Sequence, residues 1–340
     1  MNSTTNIEWT NHTINFWWGC TKVSPACTHC YAEEMGRRFG PRLFGQPVLW
    51  GAGKPRFERL EAARKETLKI QKDFEKRRLG DSEIQRPRVF VNSMSDWLDE
   101  EVPLEWLAFL LETIHLCPNL DFQLLTKRPE NWGARMFEVE TLAISTLQPM
   151  LAKWMTGFAP AHIWIGTTVE NQRYADERIP HLLKIPAKVR FLSMEPLSGK
   201  VLLDNGESSY LSCSSTQGEH EVEAGTNVDC CTSFADHGDH YHGIDWIIAG
   251  GESGGKAEPS HPDWFRSLRD QCREAEVPFF FKQWGEWLPV DHLRDATHAA
   301  GVLQRSYKGR KLDDGTLMLR VGTKLAGHLL DGQEWRQFPR

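Results

Sequence analysis

The sequence predicts an α/β chain folded as a whole or partial (βα) barrel of the TIM type, or as an open doubly wound sheet. Three observations predict it. Six short apolar runs recur along the 340 residues, each ending in polar residues. Segments with helical spacing of apolar residues lie between them. The polar residues after the runs are rich in hydrogen-bonding and charged types, as expected where parallel strands end together on one face.

The elements follow in order. A run from Thr13 to Trp18 precedes the first cysteines and places them on the first βα loop. The stretch Glu58 to Lys76 carries opposite charges at i,i+4 spacing and reads as a solvated helix. The six runs then begin at Val89, Phe122, Ile163, Val189, Asp245 and Pro278. Each is short, β-branched or aromatic, and flanked by turn residues, which suits a strand buried on both faces. Leu104 to Leu116 repeats apolar residues at helical spacing after Pro103. Asp263 to Ala275 follows His261-Pro262 and opens as helices do. Asp313-Asp-Gly315 before Leu317 to Val321 predicts a C-terminal β-hairpin and a short tail. The expected organisation is a barrel-like domain over 1–290, with a cysteine loop at 19–31 and an insertion at 205–243. A C-terminal extension, 291–340, packs on it.

The insertion departs from the rest. It has no Lys or Arg, and it carries Cys213, Cys230, Cys231, His220, His237, His240 and His242. It reads as a flexible acidic insertion or as a second metal site, zinc by donor type, although adjacent cysteines do not match usual ligand spacing. Cys117 and Cys272 lie on helical patterns and are expected in the core.

Net charge is -6, with 25% charged and 40% hydrophobic residues. That is ordinary globular composition with no overall basic field. Locally, Tyr31 to Arg88 holds fifteen Lys and Arg against nine Asp and Glu. Such a stretch either faces a polyanion or is a solvated helix surface. The N-terminus is polar and unlike a signal peptide, and no apolar run is long enough to span a bilayer. A reducing cytoplasm is the expected setting, and there clustered cysteines serve metal or catalysis more often than disulfides.

Chemistry concentrates in Gly19-Cys-Thr-Lys-Val-Ser-Pro-Ala-Cys-Thr-His-Cys-Tyr31. Cys20, Cys27 and Cys30 are spaced C-x6-C-x2-C. Three thiolates can hold three irons of a [4Fe-4S] cubane and leave the fourth iron open. They can equally hold zinc with a fourth ligand such as His29. An open iron chelates S-adenosylmethionine through its amino and carboxylate groups, and an electron from an external donor then cleaves the sulfonium bond. Around the strand ends, Gly250, Gly251, Glu252 and Ser253 suit close approach of backbone to a ligand. Glu170, Asn171 and Glu195 are further candidates for polar contacts to a cofactor. Lys127, Arg128, Lys282 and Asp96 are candidates for substrate contact, the cations for a phosphate or carboxylate. Trp9, Trp17, Trp18, Trp284 and Trp287 are either core or stacking surfaces for an unpaired base.

These blocks resemble a known family. Trp18 to Ala32 is similar to the signature of phage-associated three-Cys-motif proteins, a family of unknown function found in phages and prophages. The likeness continues through Val91-Asn-Ser-Met-Ser-Asp96, Leu125-Thr-Lys-Arg-Pro129, Thr168-Val-Glu-Asn-Gln172, Arg190-Phe-Leu-Ser-Met-Glu-Pro196, Gly250-Gly-Glu-Ser253 and Phe281-Lys-Gln-Trp-Gly285. That family is in turn similar to radical S-adenosylmethionine enzymes, which implies a barrel of that type with a cluster on its first loop. Here the first cysteine gap is six residues where three is common, and Gly-Gly-Glu falls late instead of after the second strand. The expected function is a radical S-adenosylmethionine-like enzyme in the cytoplasm of a bacterial host, acting on a nucleic acid or nucleotide. The alternative is a non-catalytic zinc- or iron–sulfur-binding module for a protein or nucleic-acid partner.

Overall fold

The computed structural model describes residues 5, 7–81, 83–142, 146–204, 209–211, 243–294 and 307–339. The chain divides into two compact units. Unit 1 is Met1–Thr168 with Pro180–Lys188, and unit 2 is Val169–Ile179 with Val189–Arg340. The seven cysteine and histidine positions of the acidic insertion lie outside the described residues. No described helix is long and apolar enough to cross a membrane.

Unit 1 is α/β. Strand β1 (His12–Ile14) leads to β2 (Trp17–Trp18), which pairs antiparallel with β3 (Phe57–Glu58). Strands β4 (Arg88–Val91), β5 (Asp121–Thr126) and β6 (Ile163–Thr168) follow. The parallel order is β1-β4-β5-β6, with His12 opposite Val89, Val89 opposite Phe122 and Phe122 opposite Ile163. Every residue of β6 is buried, as a strand covered on both faces requires. Helices α1 (Tyr31–Phe44), α2 (Leu60–Arg78), α3 (Leu104–His115), α4 (Trp132–Leu142) and α5 (Gln148–Met155) fall between the strands in the chain. In α3 the stripe Leu107, Leu110, Leu111 and Ile114 is fully buried, which is the helical repeat legible in sequence. The expected strand from Thr13 to Trp18 comes in two pieces. The Asn92 Oδ1 accepts the Phe16 N–H at 2.8 Å, so the ladder ends there and the chain turns to pair with β3.

Unit 2 holds β7 (Val189–Met194), β8 (Trp246–Gly250) and β9 (Phe279–Gln283), again parallel and in chain order. Helix α6 spans Gln172–Leu183, and α7 spans Pro262–Glu274. Pro262 occupies the first turn of α7, where no intrahelical partner for an N–H exists, and His261 Nδ1 accepts the Asp263 N–H at 3.1 Å. The expected hairpin forms as β11 (Lys308–Lys311) and β12 (Leu317–Arg320). β12 also pairs with β10 (Trp287–Pro289). Past it, the tail returns to β9. Phe281 N–H donates to Trp335 O at 2.7 Å and Gln337 N–H to Phe279 O at 3.1 Å, so the open edge of β9 is covered by the chain itself.

The five tryptophans singled out by sequence are core. Trp9, Trp17, Trp18, Trp284 and Trp287 are all buried, and Trp284 and Trp287 donate their indole N–H groups to Leu329 O and Ala257 O. The base-stacking expectation for them is therefore corrected, because a ring packed on all sides offers no face. Cys117 and Cys272 are fully buried, as expected.

Candidate functional site

In unit 1 the polar ends of the parallel strands are laced together before the cysteine loop begins. Asn92, just after β4, takes a left-handed φ of 59°, a conformation Asn tolerates better than most residues. Its N–H donates to Ile14 O at 2.8 Å, while Asn15 Oδ1 accepts the Met94 N–H at 2.8 Å. Gly19 N–H then donates to Met94 O, and Ser95 Oγ donates to Trp17 O. These bonds deliver Cys20 at a fixed place.

The loop contains one short helical turn, Pro25–Cys27, and Cys30 stands at the N-terminus of α1. Cys20 and Cys30 pack against the same apolar cluster of Trp18, Ala32, Val48, Trp50 and Met94. Tyr31 Oη donates to Ser93 O at 2.9 Å and ties the start of α1 to the end of β4. Burial pushes the Cys20 thiol up, Asp96 adds to that and Arg128 opposes it. Burial also pushes the Cys30 thiol up, against the backbone N–H groups of Glu33 and Ala32 and the charge of Lys127.

Two buried ion pairs brace the loop. Arg128, directly after β5, puts Nη1 2.8 Å from Asp96 Oδ2 and 3.8 Å from Cys20 Sγ, and its Nη2 donates to Thr21 O. Asp96 also accepts the Thr126 hydroxyl at 2.7 Å and the N–H groups of Lys127 and Leu98 at 2.8 and 3.0 Å. Asp99 accepts the Thr21 N–H at 2.9 Å and Arg56 Nη2 at 2.8 Å. Burial would raise the Asp99 carboxyl, but Arg128, the Thr21 N–H and Arg56 outweigh it and hold it below the usual range. Sequence reasoning missed Arg56, Asp99 and Thr21. Arg56 and Asp99 lie 43 residues apart in the chain, and no local pattern joins them.

The donor chemistry of this loop fits an iron–sulfur cluster or zinc: three cysteines, with cations placed to offset thiolate charge. Among the described residues, however, no three His, Cys, Asp or Glu side chains are gathered tightly enough to share one ion. The three thiols share one loop and not yet one point.

Unit 2 carries the remaining residues singled out by sequence. Glu195, just after β7, is held by Lys282 Nζ at 2.8 Å from both carboxylate oxygens, and Gln283 Nε2 donates to it at 3.3 Å. Gln283 Nε2 also reaches Ser253 Oγ at 3.1 Å. Both members of the Glu195–Lys282 pair keep about a fifth of their side-chain surface open. Glu170 pairs with Arg178 at 2.9 Å and is buried with it. Asn171 Nδ2 reaches Ser198 Oγ at 3.4 Å. Glu252 Oε2 accepts the Glu258 N–H at 2.9 Å.

Gly251 and Gly285 each lie against the backbone of the other's loop. A Cβ on Gly251 would stand 2.0 Å from Trp284 O, and one on Gly285, at φ 79°, would stand 2.2 Å from Glu252 O. The loops after β8 and β9 thus cross backbone to backbone, closed by Gly251 N–H to Gln283 O and Glu286 N–H to Glu252 O, both 2.9 Å. The close approach that glycine permits here is to another loop of the same chain.

The chain belongs to the family described as protein of unknown function (DUF5131), whose model matches residues 4–339. No curated protein matches it in sequence. Among solved structures it is similar to a cysteine-to-serine variant of spore photoproduct lyase, with TM-score 0.37 and 10% identity over 94% of this chain and 71% of that one. A second variant of that lyase, with bound AdoMet and dinucleoside spore photoproduct, gives TM-score 0.36 and 10% identity over 92% and 68% of the two chains.

Proposed function

We propose that this chain is an iron–sulfur enzyme of the radical S-adenosylmethionine type, with a [4Fe-4S] cluster held by Cys20, Cys27 and Cys30. The observation that carries this reading is the setting of the three thiols. They lie on one loop whose ends are anchored to strand ends, with a buried guanidinium aimed at Cys20. Cys20, Cys27 and Cys30 would hold the cluster, which when bound would supply the electron for reductive cleavage of S-adenosylmethionine. The chain's own part is to keep water from the sulfurs through Trp18, Trp50 and Met94 and to set the loop with the Asp96 and Asp99 pairs.

In unit 2, Glu195 with Lys282 and Gln283 is the polar group best suited to a small ligand, because it is ordered by neighbours yet partly open. Exposed Arg37, Arg38 and Arg42 on α1, next to the cysteine loop in sequence, favour an anionic substrate of the nucleotide or nucleic-acid class. The family likeness found in sequence makes a phage or prophage in a bacterial cytoplasm the expected setting.

Anaerobic reconstitution of the full chain with iron and sulfide tests the proposal. The expected result is about four irons and four sulfides per chain, and an EPR signal of the reduced protein that changes when S-adenosylmethionine is added. A signal indifferent to S-adenosylmethionine leaves an iron–sulfur protein of another kind. Stoichiometric zinc without iron refutes the proposal in favour of a structural metal module.

A further inference from the structure

We infer that Arg128 is the positioning residue for Cys20, fixing the sulfur and stabilising negative charge on the metal group it ligates. The inference rests on the cluster reading above and assigns a role to a residue whose sequence pattern suggested substrate contact.

Arg128 is only 5% exposed. A buried guanidinium persists when its donors are satisfied and its charge is matched. Asp96 supplies the charge, and it is itself locked by Thr126, Leu98 and the Lys127 backbone. The far end of the fork then reaches forward, one arm to Thr21 O and the other within hydrogen-bond reach of Cys20 Sγ. A cation serving only Asp96 would not need to span the carbonyl and the thiol of consecutive residues. Arginine suits this because its planar fork has several donors in fixed directions, which a lysine ammonium lacks. Hydrogen bonds and positive charge at a ligand sulfur favour the more negative, reduced cluster and so raise its midpoint potential.

The test is the midpoint of the reconstituted full-length protein, titrated with dithionite and followed by EPR, alongside iron content and thermal melting. Arg128→Gln is expected to lower the midpoint enough to change the oxidised-to-reduced ratio at least tenfold at fixed potential, about 59 mV for one electron. Arg128→Lys keeps the charge and loses the fork, so its midpoint falls between the two. Lys308→Gln, on exposed β11, leaves the midpoint where it is. Arg128→Gln that stays folded but loses its iron also supports the inference. If that variant does not fold, Arg128→Lys decides, and a midpoint equal to wild type in it overturns the inference. Full iron and an unmoved midpoint in both variants overturn it while leaving the cluster reading intact. A wild-type chain that takes up no iron sinks the cluster reading and this inference with it.

Discussion

Replacing Gly251 with alanine adds one methyl group where the structure has no room for it. The new Cβ would stand 2.0 Å from Trp284 O and 2.7 Å from Trp284 C. Ordinary contact begins at 3.4 Å, so the two loops must part by about 1.4 Å. Both obstructing atoms are backbone and cannot swing aside. Overpacking of this kind costs about 1–3 kcal/mol, occasionally more. Parting the loops also strains the Gly251–Gln283 and Glu252–Glu286 bonds, each worth about 1 kcal/mol net. The expected loss is about 3–5 kcal/mol, which for a unit of this size lowers the melting temperature by about 10 °C. Gly255→Ala is the matched control, since a Cβ there meets nothing within 4 Å. Thermal and urea unfolding followed by circular dichroism read the difference. A Gly251→Ala protein as stable as Gly255→Ala would refute the reasoning. If it also lost affinity for S-adenosylmethionine, the glycine would belong to a ligand site and not to a loop crossing.

Three further outcomes are expected. Cys20→Ala, Cys27→Ala or Cys30→Ala each removes most of the bound iron by chemical analysis, whereas Cys117→Ala and Cys272→Ala, in the core, leave it in place. Arg178→Met strands the buried Glu170 carboxylate and costs about 3–5 kcal/mol in urea unfolding, part of which the double variant with Glu170→Gln restores. His162 gives an acid sensitivity: burial lowers its ring from 6.5 to about 4, and its Nε2 bonds Ile114 O at 3.2 Å. Because the folded value is depressed, its contribution is intact above about pH 6.5 and is lost as pH falls toward 4, when the unfolded chain gains a proton the folded one refuses. The loss is on the order of 2–3 kcal/mol, read as a urea midpoint that falls between pH 7 and pH 4.5 in wild type and less in His162→Gln.

The strands were legible because burial on both faces writes itself as a short continuous run, and all six runs fall on β4 to β9. The cysteine loop was legible because its spacing is local. What sequence alone did not show is what each polar strand end faces. Glu170 and Glu195 look alike in sequence, each polar and just past an apolar run. One is closed off with Arg178, and the other stays partly open with Lys282. Likewise no local pattern shows that Gly251 of Gly-Gly-Glu lies against Trp284 and Gly285, more than thirty residues on, while Gly250 faces the Glu195 side chain. The pairing of Arg56 with Asp99 arises only when the chain between them is folded.

The anchoring of the cysteine loop bears on the order in which metal and fold arrive. In a zinc finger the ion is the keystone, and its binding energy is folding energy. Here Thr21 is held at both its N–H and its carbonyl by buried groups, and Tyr31 is pinned to Ser93. The span between them runs between anchors made of protein groups alone. The three thiols between and beside those anchors still have to be drawn together by the group they bind. Removing a bound group would leave the anchors in place, and the ordering entropy of loading would fall on the few residues between Thr21 and Tyr31.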